Sequence, residues 1–151
     1  MEFLEFTIDK FIFRVVKGNK YSQDDVWLAS AGERRWRIGI TDFLQKTSGD
    51  AVIAQLPDLG RTFQRGSEVA QFETVKTIIS VPMPVTGKVV ERNDRILDEP
   101  GLLNSDPYGK GWIVTVEASN VEKEFKHLLS DSSYFELMKK KVSEVQSKPR
   151  K

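Results

Sequence analysis

The chain contains no cysteine among its 151 residues. This absence excludes a disulfide-stabilised scaffold and a metal site built from thiolates. There is a single histidine, His127, and no nucleophile or acid stands at motif spacing from it. We therefore interpret His127 as a surface residue near a helix end, and the sequence predicts a protein without a catalytic site of its own.

The chain also lacks an excess of charge of either sign. It has 23 lysine and arginine residues against 22 acidic ones, for a net charge of +1. That balance offers no electrostatic basis for binding nucleic acid or an anionic membrane. No apolar run approaches the roughly 20 residues of a membrane span, and residues 1–5 do not resemble a signal peptide. We expect a cytoplasmic protein with neither nucleic-acid nor membrane partners.

Short runs with strand character, separated by glycine and proline, fill most of the chain. Many such strands at close spacing predict a mostly β sandwich or barrel. Thr41 or Asp42 can cap a short helix between two of the runs. The predicted strands cover residues 11–16, 26–29, 35–40 and 52–56.

Two amphipathic helices are predicted after the strands. Ser119-x-x-Glu122 and Ser133-x-x-Glu136 both have the form of a capping box. Each is followed by an apolar stripe at helical spacing, and residues 146–151 are predicted to be a frayed, solvated, basic tail. The two stripes are Val121, Phe125, Leu128 and Leu129, and Tyr134, Leu137, Met138 and Val142.

Lys76 stands between two runs of strand character, 66–72 and 78–87. If these strands pair as a hairpin, the lysine lies at its tip, exposed and pointing away from the body of the protein. An exposed lysine is suited to covalent modification. It is poorly suited to act as a base, which would need burial or a charged neighbour to lower its pKa.

The segments around this lysine form an ordered series of motifs. Glu73-Thr74-Val75-Lys76 is followed by Pro84-Val85-Thr86-Gly87 and by Pro107-Tyr108-Gly109-Lys110-Gly111-Trp112. Upstream lie Ile38-Gly39-Ile40-Thr41-Asp42-Phe43 and Gly49-Asp50-Ala51-Val52. From about Tyr21 onwards, this series resembles the H-protein family of the glycine cleavage system, which carries lipoic acid.

The resemblance implies a lipoyl/biotinyl-type flattened barrel-sandwich of two antiparallel sheets with C-terminal α-helices. It implies three regions: an N-terminal β extension over 1–20, a lipoyl-carrier barrel over 21–118, and helices packed on the barrel over 119–151. It further implies that Lys76 carries lipoic acid in amide linkage. Biotin is excluded as the cofactor, because biotin carriers have Met-Lys-Met where this chain has Val75-Lys76-Thr77.

Three neighbours of Lys76 complete the cofactor-binding residues that the resemblance implies. Glu73 is expected to help a lipoate-attaching enzyme recognise the site. Thr74 and Val75 are β-branched and are expected to stiffen the hairpin. The chain would serve as a non-catalytic carrier, with the chemistry supplied by the cofactor. The tryptophans Trp27, Trp36 and Trp112 are interpreted as core or sheet-face residues.

Two departures from the family pattern bear on the cargo. Val26 and Ser80 stand where H proteins usually have acids that hold the amine of an aminomethyl-loaded arm. Asp24 or Asp25 is a possible replacement. The departures favour a relative that transfers sulfur to a heterodisulfide-reductase-like complex in sulfur oxidation.

The alternative is an authentic glycine cleavage H protein. Its partners would be glycine decarboxylase, aminomethyltransferase and dihydrolipoyl dehydrogenase. A further alternative is an unmodified scaffold module on the same fold.

Overall fold

The computed structural model describes residues 1–147, and it describes the side chains of residues 1–145. Residues 148–151 of the predicted tail, 146–151, therefore lie outside the described residues. Strands dominate up to residue 118, with three short helices among them, and further helices follow from residue 121. The strands are β1 (Phe3–Ile8), β2 (Phe11–Val16), β3 (Lys20–Tyr21), β4 (Val26–Ser30), β5 (Arg35–Ile40), β6 (Ala51–Gln55), β7 (Thr62–Phe63), β8 (Glu68–Thr74), β9 (Ile78–Pro82), β10 (Gly87–Arg92) and β11 (Val114–Ala118). The helices are α1 (Asp42–Ser48), α2 (Arg95–Asp98), α3 (Leu102–Ser105), α4 (Val121–Glu124), a 3₁₀ turn (Phe125–His127) and α5 (Asp131–Ser147).

Two antiparallel sheets make up the body of the molecule. The larger has the strand order β3-β4-β5-β11-β10-β7, and the smaller has the order β6-β8-β9. Apolar side chains from both sheets share one core, which contains Ile38 and Val116 from the larger sheet and Phe72 and Val81 from the smaller. The predicted mostly β fold of packed antiparallel sheets is confirmed, and the described strands do not close into a barrel.

A separate hairpin, formed by β1 and β2, precedes this body. It packs against α1 and α5, and a second apolar cluster joins its Phe13 and Val15 to Tyr134 and Met138 of α5. The carboxylate of Asp131 accepts the N–H of Gly18 at 2.8 Å, which ties the turn after β2 to the start of α5. The N-terminal hairpin and α5 thus cover the same side of the body.

Neither predicted capping box forms. The hydroxyl of Ser119 lies 3.4 Å from the carbonyl oxygen of Thr86, and Glu124 accepts the N–H of Thr86. Ser119 thus contacts the loop before β10 instead of capping the helix, and the first C-terminal helix is a single α turn followed by the 3₁₀ turn. The second helix begins earlier than predicted, because Ser130 supplies the oxygen that accepts the N–H of Ser133 at 3.1 Å.

No helix within residues 1–147 combines the length and apolar character needed to cross a membrane.

Candidate functional site

Strands β8 and β9 pair as an antiparallel hairpin, in which Glu73 is opposite Ile78 and Phe72 is opposite Ile79. Lys76 lies in the connecting turn and is exposed. Side chains that point inwards from these strands are buried in the common core, whereas Val75 at the tip is 70 % exposed. The alternation of apolar and polar residues thus fixes the strand register and leaves the motif around the lysine in solvent.

The hydroxyl of Thr74 organises the turn. Its oxygen accepts the backbone N–H groups of Lys76 at 3.1 Å and of Thr77 at 2.9 Å. The same hydroxyl lies 2.6 Å from the carbonyl oxygen of Ser48, to which it donates. One side chain therefore satisfies two turn amides and anchors the turn to the end of α1, a role that a hydroxyl supplies and β-branching alone does not.

Lys76 does not extend away from the body as the sequence predicted. Its Nζ lies 3.2 Å from the carbonyl oxygen of Thr47, in the last turn of α1. The terminal carbonyl groups of a helix carry a partial negative charge and have no intrahelical partner. The free ammonium is attracted to them, and its side chain therefore lies across the helix end.

Gly49 forms the floor under the lysine stem. Its φ of 88° lies in the left-handed region, and a Cβ placed there would be 3.0 Å from Cδ of Lys76. Asn104 holds this segment from below, since its side chain donates to the carbonyl of Gly49 at 3.0 Å and accepts the N–H of Ala51 at 2.9 Å. Neither residue was predicted to have a role, although Gly49 lies in the motif Gly49-Asp50-Ala51-Val52.

An open cleft of about 340 Å³ begins one residue beyond the lysine. The strand that leaves the turn forms one wall with the exposed residues Ile78 and Ser80, and Ser48 at the end of α1 also lines the cleft. Asp25 and Lys141 line it as well. The cleft therefore combines an apolar wall with hydroxyl groups and one ion pair, within reach of a group carried by Lys76.

Asp25 is the buried carboxylate of this cleft. Lys141 from α5 donates to both of its oxygens at 3.0 Å and to the carbonyl of Gln23 at 2.7 Å. The hydroxyl of Tyr134 donates to Oδ1 of Asp25 at 2.7 Å and lies 2.8 Å from the hydroxyl of Thr41. Burial, and then the charge of Asp25, raises the pKa of Tyr134 well above its ordinary value, which keeps the hydroxyl protonated as a donor.

The positions expected to hold acids in the family behave differently from one another. Val26 is fully buried in the main core and is not among the residues that line the cleft, whereas Asp25 lies in the turn before β4. Ser80 does line the cleft, and so does Asp24, which is exposed. Of the two candidate replacements, Asp25 is engaged by α5, whereas Asp24 makes no hydrogen bond to α5 among the side chains described, residues 1–145.

The remaining predicted residues occupy ordinary places. Glu73 is exposed on β8, beside the turn. Trp27 is buried, and its Nε1 donates to the carbonyl of Pro107 at 3.0 Å. Trp36 packs edge-on against Phe125, and the guanidinium of Arg37 lies 4.2 Å from the ring of Trp112. The interpretation of the tryptophans as core and sheet-face residues is confirmed.

Comparison with known proteins supports one family. A model of the family described as glycine cleavage H-protein matches residues 19–141, which include the lysine hairpin and the cleft. The glycine cleavage system H protein of Carboxydothermus hydrogenoformans is 44% identical over 124 residues, 82% of this chain and 94% of the relative. The protein with that name from Cronobacter sakazakii is 40% identical over 79% of this chain and 92% of the relative.

A solved structure agrees with these matches. The crystal structure of a glycine cleavage system H protein from Mycobacterium marinum superposes with a TM-score of 0.71 at 31% identity. The superposition covers 80% of this chain and 95% of that one. These names support the glycine cleavage alternative better than the preference for sulfur transfer, which has no support among them. The chain belongs to the glycine cleavage H-protein family.

Proposed function

We propose that this chain is a glycine cleavage H protein that carries lipoic acid in amide linkage to Lys76. The observation that carries the proposal is the position of Lys76 in the exposed turn between β8 and β9, within the region that the family model matches. The adjoining cleft provides a place for the far end of a lysine-linked arm.

The residues present fit a lipoyl group. The lysine stem crosses Gly49, where an added Cβ would lie only 3.0 Å from Cδ of Lys76. The nearby cleft has an apolar wall suited to a hydrocarbon chain and a dithiolane ring. A lipoyl group there would supply the reactive disulfide, because the chain has no cysteine of its own.

The protein's own residues present the arm. Thr74 fixes the turn through two backbone amides, so that the lysine leaves the surface at a defined point. Asn104 holds the floor beneath it. Val75 and Glu73 remain exposed on either side of Thr74, where a lipoate-attaching enzyme can contact them. A tether of this kind raises the local concentration of its end to the millimolar range at partner sites within its reach.

The carrier has no catalytic role in this proposal. Its cargo is the aminomethyl group derived from glycine. Its partners are glycine decarboxylase, aminomethyltransferase and dihydrolipoyl dehydrogenase, and its compartment is the cytoplasm. Val26 is buried and Ser80 is uncharged, so the acids usual in the family are absent from the cleft. Asp25 is the buried carboxylate that remains there.

The test of the attachment site is the intact mass of the protein from a lipoylating host. The wild-type chain should gain one lipoyl increment, and Lys76→Arg should lose it while keeping its fold. Lys88→Arg, at an exposed position on β10, is the matched control and should keep the increment. Lipoylation that persists in Lys76→Arg would refute the assignment.

The test of the cargo is glycine–bicarbonate exchange. Lipoylated protein is combined with glycine decarboxylase and aminomethyltransferase from the same source, beside the Lys76→Arg variant. Exchange that depends on Lys76 supports the glycine cleavage role. Full lipoylation without exchange would contradict that role and leave the carrier assignment standing.

A further inference from the structure

The ion pair between Asp25 and Lys141 lies on the cleft that the arm would enter, and it joins residues from opposite ends of the chain. The side chain of Asp25 is 10% exposed and that of Lys141 is 25% exposed. The lysine therefore approaches from the solvent side and covers a carboxylate that is otherwise enclosed. All three protons of its ammonium have acceptors, two on Asp25 and one on Gln23.

A backbone conformation and a hydrogen bond also fix the position of Asp25, in addition to its ion pair with Lys141. Its φ of 66° places a non-glycine residue in the left-handed region, which aspartate tolerates better than most residues. Tyr134 donates to one of its oxygens from beneath. A residue kept in an uncommon conformation at a cleft, with its carboxylate between a hydroxyl and a cation, forms a prepared anionic subsite.

We propose that Lys141 is a specificity-determining residue of this cleft, whose ammonium occupies the subsite that a cationic group at the end of the arm would take. Such a group reaches Asp25 only by exchanging with Lys141. An uncharged group at the end of the arm gains no electrostatic interaction by displacing Lys141 from the carboxylate. This inference rests on the proposed attachment of a lipoyl group to Lys76.

The physical reason is the cost of leaving a buried charge without a partner. Removal of one member of a buried pair destabilises the fold, because the other charge stays desolvated. In Lys141→Met, the carboxylate of Asp25 keeps the Tyr134 hydroxyl but loses its cation. A cation delivered by the arm would restore that interaction and so stabilise the folded state by linkage.

The absence of cysteine allows the arm to be given either end group selectively. In lipoylated protein reduced with a phosphine, each arm thiolate displaces bromide from 2-bromoethylamine, forming a carbon–sulfur bond and adding an ammonium. Iodoacetamide, from which each thiolate displaces iodide, gives a neutral arm of similar size. Intact mass should confirm two additions per chain. The Lys76→Arg variant, which carries no arm, is treated in the same way and reveals any alkylation at other side chains.

The measurement is the melting temperature of four proteins: the wild type and Lys141→Met, each with the cationic arm or the neutral arm. In the wild type, the cationic and neutral arms should give the same value. In Lys141→Met, the cationic arm should raise the melting temperature by roughly 3 to 6 °C over the neutral arm. Lys141→Gln, which keeps a hydrogen-bond donor without the charge, should show the same difference and serves if the methionine variant does not fold.

Two further variants identify the carboxylate. Asp25→Asn/Lys141→Met removes both charges and should abolish the difference between the arms. Asp24→Asn/Lys141→Met should retain it. Equal melting temperatures for the two arms in both Lys141 variants would overturn the inference, as would loss of the difference with Asp24→Asn. A missing lipoyl increment is seen by mass before any alkylation, and it would overturn the proposed function and this inference with it.

Discussion

The side-chain nitrogen of Lys76 donates to the carbonyl oxygen of Thr47, 3.2 Å away, at the C-terminal end of α1. This contact holds the unmodified lysine by its positive charge. Formation of an amide removes that charge, and with it most of the attraction to the helix end. We therefore expect amide formation at Lys76 to release the stem from α1.

Replacement of the Thr74 hydroxyl should loosen the turn. Thr74→Val keeps the β-branched shape but leaves the amides of Lys76 and Thr77 without their acceptor. We expect a loss of about 1 kcal/mol in unfolding free energy. Hydrogen exchange at these two amides should become faster, and lipoylation slower. Thr74→Ser is the control and should retain slow exchange; unchanged exchange in the valine variant would contradict the role given to the hydroxyl.

Substitution of Gly49 should affect both the backbone and the lysine. Gly49→Ala places a side chain at a φ of 88° and within 3.0 Å of the Lys76 stem. The backbone strain should cost about 1 to 3 kcal/mol, measured by urea denaturation. Gly60→Ala is the matched control, because Gly60 has a φ of 83° and open space around its Cβ position. Only Gly49→Ala should also alter the rate of lipoylation, and equal rates in the two variants would argue against the floor.

The buried stripe of α5 should contribute strongly to stability. Met138 is fully buried between the N-terminal hairpin and the body, whereas Leu137 is only half-buried. Met138→Ala should lower the unfolding free energy by about 2 to 5 kcal/mol, and Leu137→Ala by clearly less. Denaturation curves would measure both. A negligible effect of Met138→Ala would mean that α5 is detachable from the fold.

The tyrosines should resist ionisation in the folded protein. Burial raises the pKa of all three, Tyr21, Tyr108 and Tyr134, above the ordinary value of 10.0. Because the folded pKa values exceed the unfolded ones, the stability they contribute is complete below pH 10 and declines above it. Absorbance at 295 nm should show no tyrosinate until alkaline unfolding begins. A native titration near pH 10 would place at least one hydroxyl in solvent.

Local patterns predicted much of this molecule. Strand alternation placed Lys76 in a hairpin turn, and Thr41 caps α1 as expected because its oxygen accepts from Leu44 at 3.4 Å. The capping boxes failed for physical reasons. The hydroxyl of Ser119 found a partner in Thr86, 33 residues away in the chain, and the N–H of Ser133 donates to Ser130, which begins the last helix earlier.

The cleft could not be predicted from such patterns. Asp25 and Lys141 are separated by 116 residues, and neither lies in a motif that indicates the other. The direction of the Lys76 side chain depends on the end of α1, which is 29 residues upstream. Strand alternation could not place Asp25 either, because Asp25 lies in the turn before β4 with a φ of 66°, whereas Val26 is the buried first residue of that strand.

The ion pair between Asp25 and Lys141 also has a consequence for the order of folding. Strands β8 and β9 are close in sequence, so the hairpin that bears Lys76 has little loop entropy to overcome. The cleft wall formed by α5 requires contacts that span most of the chain, and such long-range contacts form slowly. During synthesis, the hairpin can assemble before α5 has left the ribosome. We therefore expect hydrogen-exchange pulse labelling to protect the hairpin first, so that a lysine ready for modification exists before the cleft beside it is complete.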